Sequence, residues 1–474
     1  MRLLLTTLCV LGTATLAACS DAAAPTAPTG ALSPSAAART VINFGFTEMG
    51  APADNVLSRA INDAGQVAIV QDALSSQFGA LWVNGSTQLL AGGTSSLGTS
   101  AFDVNALGTV VGYEQTLAGS SAAVWEGGVF TALSPYPGST GSPAATAIND
   151  AGQIVGSDGE GLFWSDKSVA APVRLQSLGS GSRIFDINNA GMIVGESSPT
   201  SAIFQAVVWT SETAAPQALA GLGSAPCLSK FVAARAINEM GEIVGQCPAS
   251  DGSTHAVYWA NKDAAPIDLD LLAGGSFATG INELGQIVGY ARSGGDFRAM
   301  LWSREGGVFR RFDLGAPAGL YESEATALNN TGQAVLDAND KAQLREAFVV
   351  GIPMRAAIDL DPSSAANVIK LGKGTVTVAI LGSRWFRATD VDPASLTLGN
   401  DDGLDTPVAM KKGAPSAKLT DVNRDGFADL VADFDEGALM SDGDLAIGTQ
   451  TLVLLGQTRT GVHVRGTDVA RAVK

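Results

Sequence analysis

The chain is poor in the residues that most catalytic and nucleic-acid-binding sites require. It contains two histidines, His255 and His463, which are too few for a His-rich metal site. Lys and Arg total 29 against 46 Asp and Glu, and no basic cluster occurs. This argues against nucleic acid and anionic lipid as partners, because both are bound through positive patches. Gly-x-Ser-x-Gly, His-Glu-x-x-His and Gly-Lys-Ser/Thr motifs are also absent, so no common catalytic motif marks an active site.

A long apolar run occurs at the N-terminus. Arg2 precedes the apolar stretch Leu3–Leu16, which is shorter than the roughly 20 residues of a membrane span. The stretch therefore predicts a signal peptide over residues 1–19. Its end, Leu-Ala-Ala-Cys19, resembles the lipobox of bacterial lipoproteins, which implies a lipid anchor on Cys19 in the cell envelope, at the outer membrane or cell surface. An ordinary signal peptide with a chance cysteine is the alternative.

Cysteine is scarce beyond this signal. Residues 20–38 are rich in Ala, Pro, Thr and Ser and predict a tether. Of the four cysteines, only Cys227 and Cys247 remain in the folded part, and in an oxidising compartment they predict one disulfide. Both follow strands that lead to the same face of the repeat structure, so the bond is geometrically reasonable. Two unpaired thiols are the alternative.

Seven copies of the phrase Ile-Asn-x-x-Gly organise the chain, with Val or Leu replacing Ile in two of them. Their asparagines are spaced 43, 44, 39, 50, 44 and 47 residues apart, and they are Asn62, Asn105, Asn149, Asn188, Asn238, Asn282 and Asn329. A period in the forties with Gly-containing turns and short apolar strands predicts a β-propeller of four-stranded blades. We therefore expect a seven-bladed propeller over residues 39–353.

Each copy of the phrase predicts a tight turn between the first two strands of a blade. The Asn side chain can accept a backbone N–H two residues on, and Gly adopts positive φ at little cost. About 20 residues later most copies carry a Trp, for which burial between blades and a sugar-stacking array are the two interpretations. The seventh blade lacks an outer strand, and the segment Thr40–Phe46 is expected to supply it and close the ring. Phe46 precedes Asn62 by 16 residues, as Leu89 precedes Asn105, so Phe46 is expected at the position of Leu89.

The repeats also resemble a known family. His255-Ala-Val-Tyr-Trp259, followed by Ile281-Asn-Glu-Leu-Gly-Gln-Ile-Val-Gly289, resembles the extracellular HAF-repeat family. The resemblance covers about residues 39–353 and implies an exported repeat protein, with little implied chemistry. The His occurs in one of the seven copies.

Residues 354–474 have a different character. Strand-like runs at Val376–Leu381, Leu396–Leu398 and Thr451–Leu455, separated by Gly, Asp and Pro, predict a β-sandwich of immunoglobulin type. The segment resembles a C-terminal β module of exported bacterial proteins, through Ile358–Pro362 and Val391–Gly399. The whole chain is thus predicted to be all-β, with a propeller followed by a sandwich.

The strongest chemical motif lies in this second domain. Alternate oxygen donors around a Gly at the sixth position suit Ca²⁺, and the expected ligands are Asp421, Asn423, Asp425, the Phe427 carbonyl and Asp429. The loop resembles the calcium loops of exported β proteins, and a solvated acidic turn without metal is the alternative. A second patch is expected to be only a charged loop; it comprises Asn400, Asp401, Asp402, Gly403 and Asp405.

Three functions are compatible with these features. The first is a monomeric, non-catalytic envelope lipoprotein whose propeller binds a glycan, polymer or protein. The second is a propeller hydrolase or lyase acting on polysaccharide, with a carboxylate pair drawn from Glu114, Asp158, Glu196 and Asp337. The third is a purely structural envelope protein. Because these carboxylates fit solvated loop positions equally well, the sequence favours the first function.

Overall fold

The described part of the chain contains seven antiparallel blade sheets, of which six have four strands and one has a short fifth strand. A nine-stranded sheet and a small two-stranded sheet follow at the C-terminus. The computed structural model describes residues 46–49, 55–73, 76–200, 203–223, 227–229, 232–270, 274–305, 307–340, 344–364, 366–400 and 405–474. The signal peptide, Cys19, the 20–38 tether, residues 40–45 of the closing strand, and Asp401, Asp402 and Gly403 lie outside these ranges. No helix in the described ranges is both long and apolar enough to cross a membrane.

The propeller strands follow one another as the repeat predicts. Blade 1 contains β2 (Asn55–Ile61), β3 (Gln66–Ala73), β4 (Ser76–Val83) and β5 (Ser86–Leu89), and blade 2 contains β6 (Ser96–Val104), β7 (Val110–Thr116), β8 (Gly119–Glu126) and β9 (Val129–Ala132). Blade 3 contains β10 (Ala144–Ile148), β11 (Ile154–Ser157), β12 (Gly161–Trp164) and β13 (Val173–Arg174). Blade 4 contains β14 (Ser182–Ile187), β15 (Ile193–Thr200), β16 (Ile203–Trp209), β17 (Gln217–Ala218) and the short β18 (Leu228–Ser229). Blade 5 contains β19 (Ala233–Ile237), β20 (Ile243–Pro248), β21 (Thr254–Trp259) and β22 (Ile267–Asp268). Blade 6 contains β23 (Ser276–Ile281), β24 (Ile287–Ser293), β25 (Asp296–Glu305) and β26 (Val308–Gly315). Blade 7 contains β27 (Glu322–Leu328), β28 (Gln333–Asn339), β29 (Arg345–Gly351) and β1 (Phe46–Glu48).

The N-terminal strand closes the ring. Strand β1 pairs antiparallel with β29 and becomes the outer strand of blade 7, which confirms the predicted closure and removes a free edge. The register differs from the sequence-based expectation by two residues. Glu48 lies opposite Phe348, as Leu89 lies opposite Ala80 in blade 1, so Glu48 and not Phe46 occupies the Leu89 position.

The Asn of each phrase holds its own turn. The Asn105 Oδ1 accepts the backbone N–H groups of Leu107 and Thr109, at 3.1 and 3.0 Å. The Gly that ends the turn has positive φ in all seven blades, between 67° and 83°. The predicted turn chemistry is therefore confirmed.

The same asparagines also link the blades into a ring. Each Nδ2 donates to the main-chain carbonyl of the equivalent Asn in the next blade, and Asn329 donates back to Asn62, over distances of 2.9 to 3.2 Å. These side chains are buried. Because buried amide groups must be paired, seven mutually paired asparagines fix the spacing of the seven blades around the axis. The phrase is scaffold.

The tryptophans pack between blades. All six in the repeats are at most 6% exposed. The Trp125 indole N–H donates to the Ala91 carbonyl of the preceding blade at 2.8 Å, and four other blades have an equivalent bond. These rings are therefore core and not a sugar-stacking array. Cys227 and Cys247 form the predicted disulfide at the junction of blades 4 and 5, with Cα atoms 5.2 Å apart.

The C-terminal strands do not form the predicted immunoglobulin-like sandwich. Strand β30 (Met354–Leu360) pairs parallel with β40 through its first residues and antiparallel with β32 through its last, so it joins both halves into one curled sheet. Strand patterns in a sequence do not show which edges meet. The remaining elements are β31 (Val368–Lys370), β32 (Thr375–Leu381), two 3-10 turns (Ala388–Asp390, Pro393–Ser395), β33 (Thr397–Gly399), β34 (Thr406–Pro407), β35 (Met410–Lys411), β36 (Ala414–Pro415), β37 (Ala417–Thr420), β38 (Asp429–Asp435), α1 (Glu436–Ser441), β39 (Gly448–Gln457) and β40 (His463–Val473).

Blade 6 is joined tightly to this sheet. Leu284, at the tip of its Asn turn, packs among the core side chains of the C-terminal sheet. Arg465 forms a buried two-point ion pair with Glu305, in which its Nε lies 2.6 Å and its Nη2 3.3 Å from the carboxylate oxygens. An apolar anchor and a buried bidentate pair hold the two parts in one orientation, because separating them leaves a buried charge without its partner.

Candidate functional site: the axial channel

A β-bulge interrupts the first strand of every blade. In each, the ladder shifts between the fourth and second residues before the Asn, as between Ala101 and Asp103 in blade 2. A bulge leaves one residue unpaired and redirects its side chain. Each first strand contacts the first strands of both neighbouring blades, so these strands surround the propeller axis. Seven redirected side chains therefore form a ring in the axial channel.

The chemistry of this bulge ring differs from blade to blade. In chain order its members are Arg59, Phe102, Thr146, Phe185, Arg235, Thr279 and Thr326. The residues one position before the bulge are buried, and most are Ala, which shows that the variation is confined to the channel side. We call the ring and the side chains next to it, Arg183, Glu196, Phe277, Tyr290, Phe297, Glu324 and Asp337, the axial site.

Arg235 is the best-defined member of the ring. Its guanidinium lies 4.2 Å from the centroid of the Phe185 ring in the neighbouring blade. Glu196 lies close enough to raise the Arg235 pKa, but enclosure by protein lowers that pKa overall. Arg183 binds Glu196 at 2.8 Å and stacks on Phe204, and burial raises the pKa of Glu196. Glu196 thus binds Arg183 directly and acts on Arg235 through its charge, and each of the two guanidinium groups is stacked on an aromatic ring.

Arg59 occupies the same position in blade 1. It lies 5.7 Å from the Phe102 centroid, and its charge acts on the carboxylate of Asp337. Asp337 accepts the backbone N–H and the hydroxyl of Ser58, both at 2.7 Å. Burial nevertheless raises the Asp337 pKa to about 6.

Blade 6 contributes an aromatic group. Phe277 stacks on Tyr290 at 4.9 Å, and Phe297 meets both rings nearly edge-on at 6.2 and 5.3 Å. Burial raises the Tyr290 pKa to about 12, and the charges of Glu324 and Arg235 also act on its hydroxyl. Phe277 stands two residues before the bulge residue Thr279 on the same strand, so the aromatic group lies next to the bulge ring.

The channel becomes acidic nearer the Asn ring. Asp103 and Asp186 stand directly after the bulge, and burial raises their pKa values to about 6 and about 7, with the Asp103 charge adding to the shift at Asp186. Both carboxylates accept backbone N–H groups, including those of Ile148 and Ile237 in the next blades, at 2.8 and 2.9 Å. Each aspartate thus accepts one main-chain N–H of its own blade and one of the next blade, so the two aspartates have a structural role.

A further set of polar residues follows each Asn. The residue after it accepts a backbone N–H from the preceding blade in six of the seven blades; the acceptors are Asp63, Asp150, Asn189, Glu239, Glu283 and Asn330. Ala106 interrupts the set in blade 2. Burial, together with the like charges of Glu239, Glu242 and Asp63, raises the Glu283 pKa to about 7. This end of the channel is therefore anionic.

The four carboxylates suggested by the sequence do not form one catalytic group. Glu196 and Asp337 stand eight residues after their Asn, in the axial site, whereas Glu114 and Asp158 stand nine residues after theirs and so occupy the alternate strand face. Glu114 accepts the Gly93 N–H at 2.5 Å. Asp158 binds Ser139 and Arg174 beside an open pocket of about 380 Å³. Each carboxylate has its own partners.

The predicted calcium loop folds around its own backbone. The Asp421 carboxylate accepts N–H groups from Arg424 and Gly426, and Asp425 accepts that of Phe427. Asp429 is buried and accepts the N–H groups of Gly382 and Val422, at 2.8 and 2.7 Å, so it supports the loop from beneath. Within the described ranges no three His, Cys, Asp or Glu side chains converge on a metal-binding point. The exposed oxygen donors are nevertheless of the type that Ca²⁺ prefers.

No protein-family model and no curated protein matches this chain. Among solved structures, it is similar to a prolyl endopeptidase, at 10% identity and a TM-score of 0.44, over 72% of this chain and 56% of that one. A puromycin-hydrolysing peptidase of Mycobacterium tuberculosis matches at 12% identity and a TM-score of 0.41, over 73% and 59%. A gluconolactonase of Xanthomonas campestris matches at 13% and 0.35, over 67% and 92%. The chain spans less than two thirds of the first two, and we draw no functional conclusion from these similarities.

Proposed function

We propose that this protein is a non-catalytic binding protein of the bacterial cell envelope, whose axial site holds a glycan, polymer or protein ligand. One observation carries the proposal. Arg59 and Arg235 donate no hydrogen bond to any residue in the described ranges, although both are stacked on aromatic rings. A guanidinium has five N–H donors in a fixed plane, and stacking orients that plane while leaving its edge available to a ligand.

The channel carboxylates favour binding over hydrolysis. Asp186, whose raised pKa would suit a general acid, already accepts two backbone N–H groups at 2.8 and 2.9 Å. Asp103 is held in the same way. A polysaccharide hydrolase or lyase remains the second proposal, and any ligand found is also to be tested for turnover.

The location forms part of the same proposal. A lipid on Cys19 and the 20–38 tether hold the propeller at the envelope. The direct test is Cys19→Ser, which shifts the protein from the membrane fraction to the soluble fraction. The HAF-repeat resemblance supports an exported protein. We also propose a monomer, because one chain supplies all seven blades and closes the ring with its own strand β1.

The calcium loop has a structural part in this proposal. Asp421, Asn423, Asp425 and the Phe427 carbonyl hold Ca²⁺, while Asp429 supports the loop. The bound ion offsets the negative charge of an exposed turn beside β38. The donor chemistry and the Gly426 turn, with φ of 90°, support this assignment.

The binding proposal is tested on residues 39–474 with a glycan array and envelope extracts. We expect a ligand that Arg235→Gln weakens and that Arg471→Gln, an exposed charge control in the C-terminal sheet, does not. A ligand whose affinity ignores Arg235→Gln and Arg59→Gln places binding outside the axial site and refutes the proposal. Product release from a bound glycan, measured by reducing ends, supports the hydrolase or lyase instead.

A further inference from the structure

The polar groups of the axial site alternate between donors and acceptors. Glu196 is ion-paired with Arg183 and also feels the charge of Arg235, and the charge of Arg345 acts on both Glu324 and Asp337. All are planar groups that can bind two neighbouring atoms at once. Adjacent hydroxyl groups of a sugar, each both donor and acceptor, match such an alternation.

Aromatic rings stand beside these polar groups in alternate blades. Blade 2 provides the Phe102–Tyr113 pair at 5.7 Å, and blade 6 provides the group of Phe277, Tyr290 and Phe297. Tyr113, Phe277, Tyr290 and Phe297 are only partly buried. Sites with aromatic walls and a few well-placed polar groups bind ligands that have both an apolar face and polar edges, as a pyranose ring does.

The charge of the channel disfavours an anionic ligand. Within the axial site the arginines are offset by Glu196, Glu324 and Asp337. Beyond the bulge ring, the next channel positions hold Asp103 and Asp186, and four of the seven residues that follow the Asn are acidic, with no Lys or Arg among them. The chain as a whole carries a formal net charge of −17. A polyanion meets repulsion on approach and within the channel, whereas a neutral chain does not.

We infer that the axial site takes a neutral saccharide, with Arg235 and Glu196 binding its hydroxyl groups and the blade 6 aromatic group packing against a ring face. This inference rests on the proposed binding function and specifies the ligand class. It also predicts the selectivity of the site: neutral polysaccharide binds and polyuronate does not.

The test compares neutral glucan, mannan and xylan with polygalacturonate by affinity electrophoresis and titration calorimetry at 20 and 150 mM salt. We expect at least one neutral polymer to bind and Arg235→Gln to weaken it by roughly ten-fold or more, the loss typical of a charge-assisted hydrogen-bonded contact. Tyr290→Leu removes the ring face and should weaken it as well. Arg471→Gln is the charge control, and circular dichroism with melting curves verifies that each variant is folded.

The outcomes distinguish a failure of the neutral-saccharide inference from a failure of the binding function. Tighter binding of polygalacturonate than of every neutral polymer at 150 mM salt overturns the neutral-saccharide inference and leaves the binding function intact. Binding of a neutral polymer that both Arg235→Gln and Tyr290→Leu leave unchanged also overturns it. If no polymer and no envelope component binds through Arg235, the proposed function itself fails.

Discussion

The Asn ring makes a quantitative prediction at Asn105. The side chain is 5% exposed and makes three hydrogen bonds, two accepted from its own turn and one donated at 3.1 Å to the Asn149 carbonyl of blade 3. Asn105→Ala removes all three. It also leaves the Thr109 N–H and the Asn149 carbonyl, both buried in the wild type, without these partners.

The magnitude follows from the number of bonds. Each buried hydrogen bond contributes about 1 kcal/mol net, and a buried donor or acceptor left unpaired costs about 1–3 kcal/mol. Water can enter the space that the Asn105 side chain leaves and can bind some of the unpaired groups. We therefore expect the free energy of unfolding to fall by about 2–4 kcal/mol in total. For a cooperative unit of this size that corresponds to a Tm lower by roughly 2–5 °C.

Differential scanning calorimetry of the full chain is the assay, and Asn261→Ala is the matched control. Asn261 is exposed, and its side chain accepts one N–H, that of Asp263 at 2.9 Å, so its loss should change Tm by about 1 °C or less. A third variant, Asn105→Asp, keeps the acceptor but turns an anionic oxygen toward the Asn149 carbonyl, and should be less stable at pH 8 than at pH 5. If Asn105→Ala lowers Tm no more than Asn261→Ala, the ring does not stabilise the propeller as argued.

Three further predictions concern the whole molecule. Because the folded pKa values of Asp186 and Glu283 are raised to about 7, the folded state holds more protons than the unfolded state between about pH 4 and pH 7, so Tm should fall as the pH rises from 5 to 8; a flat or rising profile contradicts this. Replacing both Cys227 and Cys247 by Ser should cost about 3 kcal/mol, seen as a lower Tm that no longer responds to reductant. Excess chelator should lower the melting temperature of the C-terminal sheet in the wild type but not in Asp425→Asn, and an unchanged wild-type melt removes the calcium assignment.

The propeller could be predicted because its signals are local. The turn of Asn105 needs an acceptor side chain and a Gly within four residues, and both are visible in the sequence. The closing strand is different, since the partners of Phe46 and Glu48 lie some 300 residues away, and the register was wrong by two. The C-terminal strands were found for the same local reason, but the switch of β30 from β40 to β32 depends on edges that no single strand encodes.

The axial site was missed because bulges break the alternation of a strand. A strict period of two places every second residue on the same face, and one extra residue removes that relation. A signal was present: three positions before each Asn the residue changes from Arg to Phe to Thr, while the residue before it remains small or apolar. Glu196 was noticed, but as a possible catalytic carboxylate, and the arginines on either side of it were not.

The bulge and the Asn ring together separate stability from recognition. A bulged residue has no ladder partner, and Arg59 and Arg235 donate no hydrogen bond within the described ranges, so these two side chains can change with little effect on the core. Directly after the bulges of blades 2 and 4, Asp103 and Asp186 accept main-chain N–H groups of the next blades and so link neighbouring first strands. The Asn ring, three residues away, fixes the position of every bulge. Arg235→Gln should therefore weaken ligand binding and leave Tm nearly constant. Changes at Asn105, whose side chain holds the scaffold, should lower Tm instead.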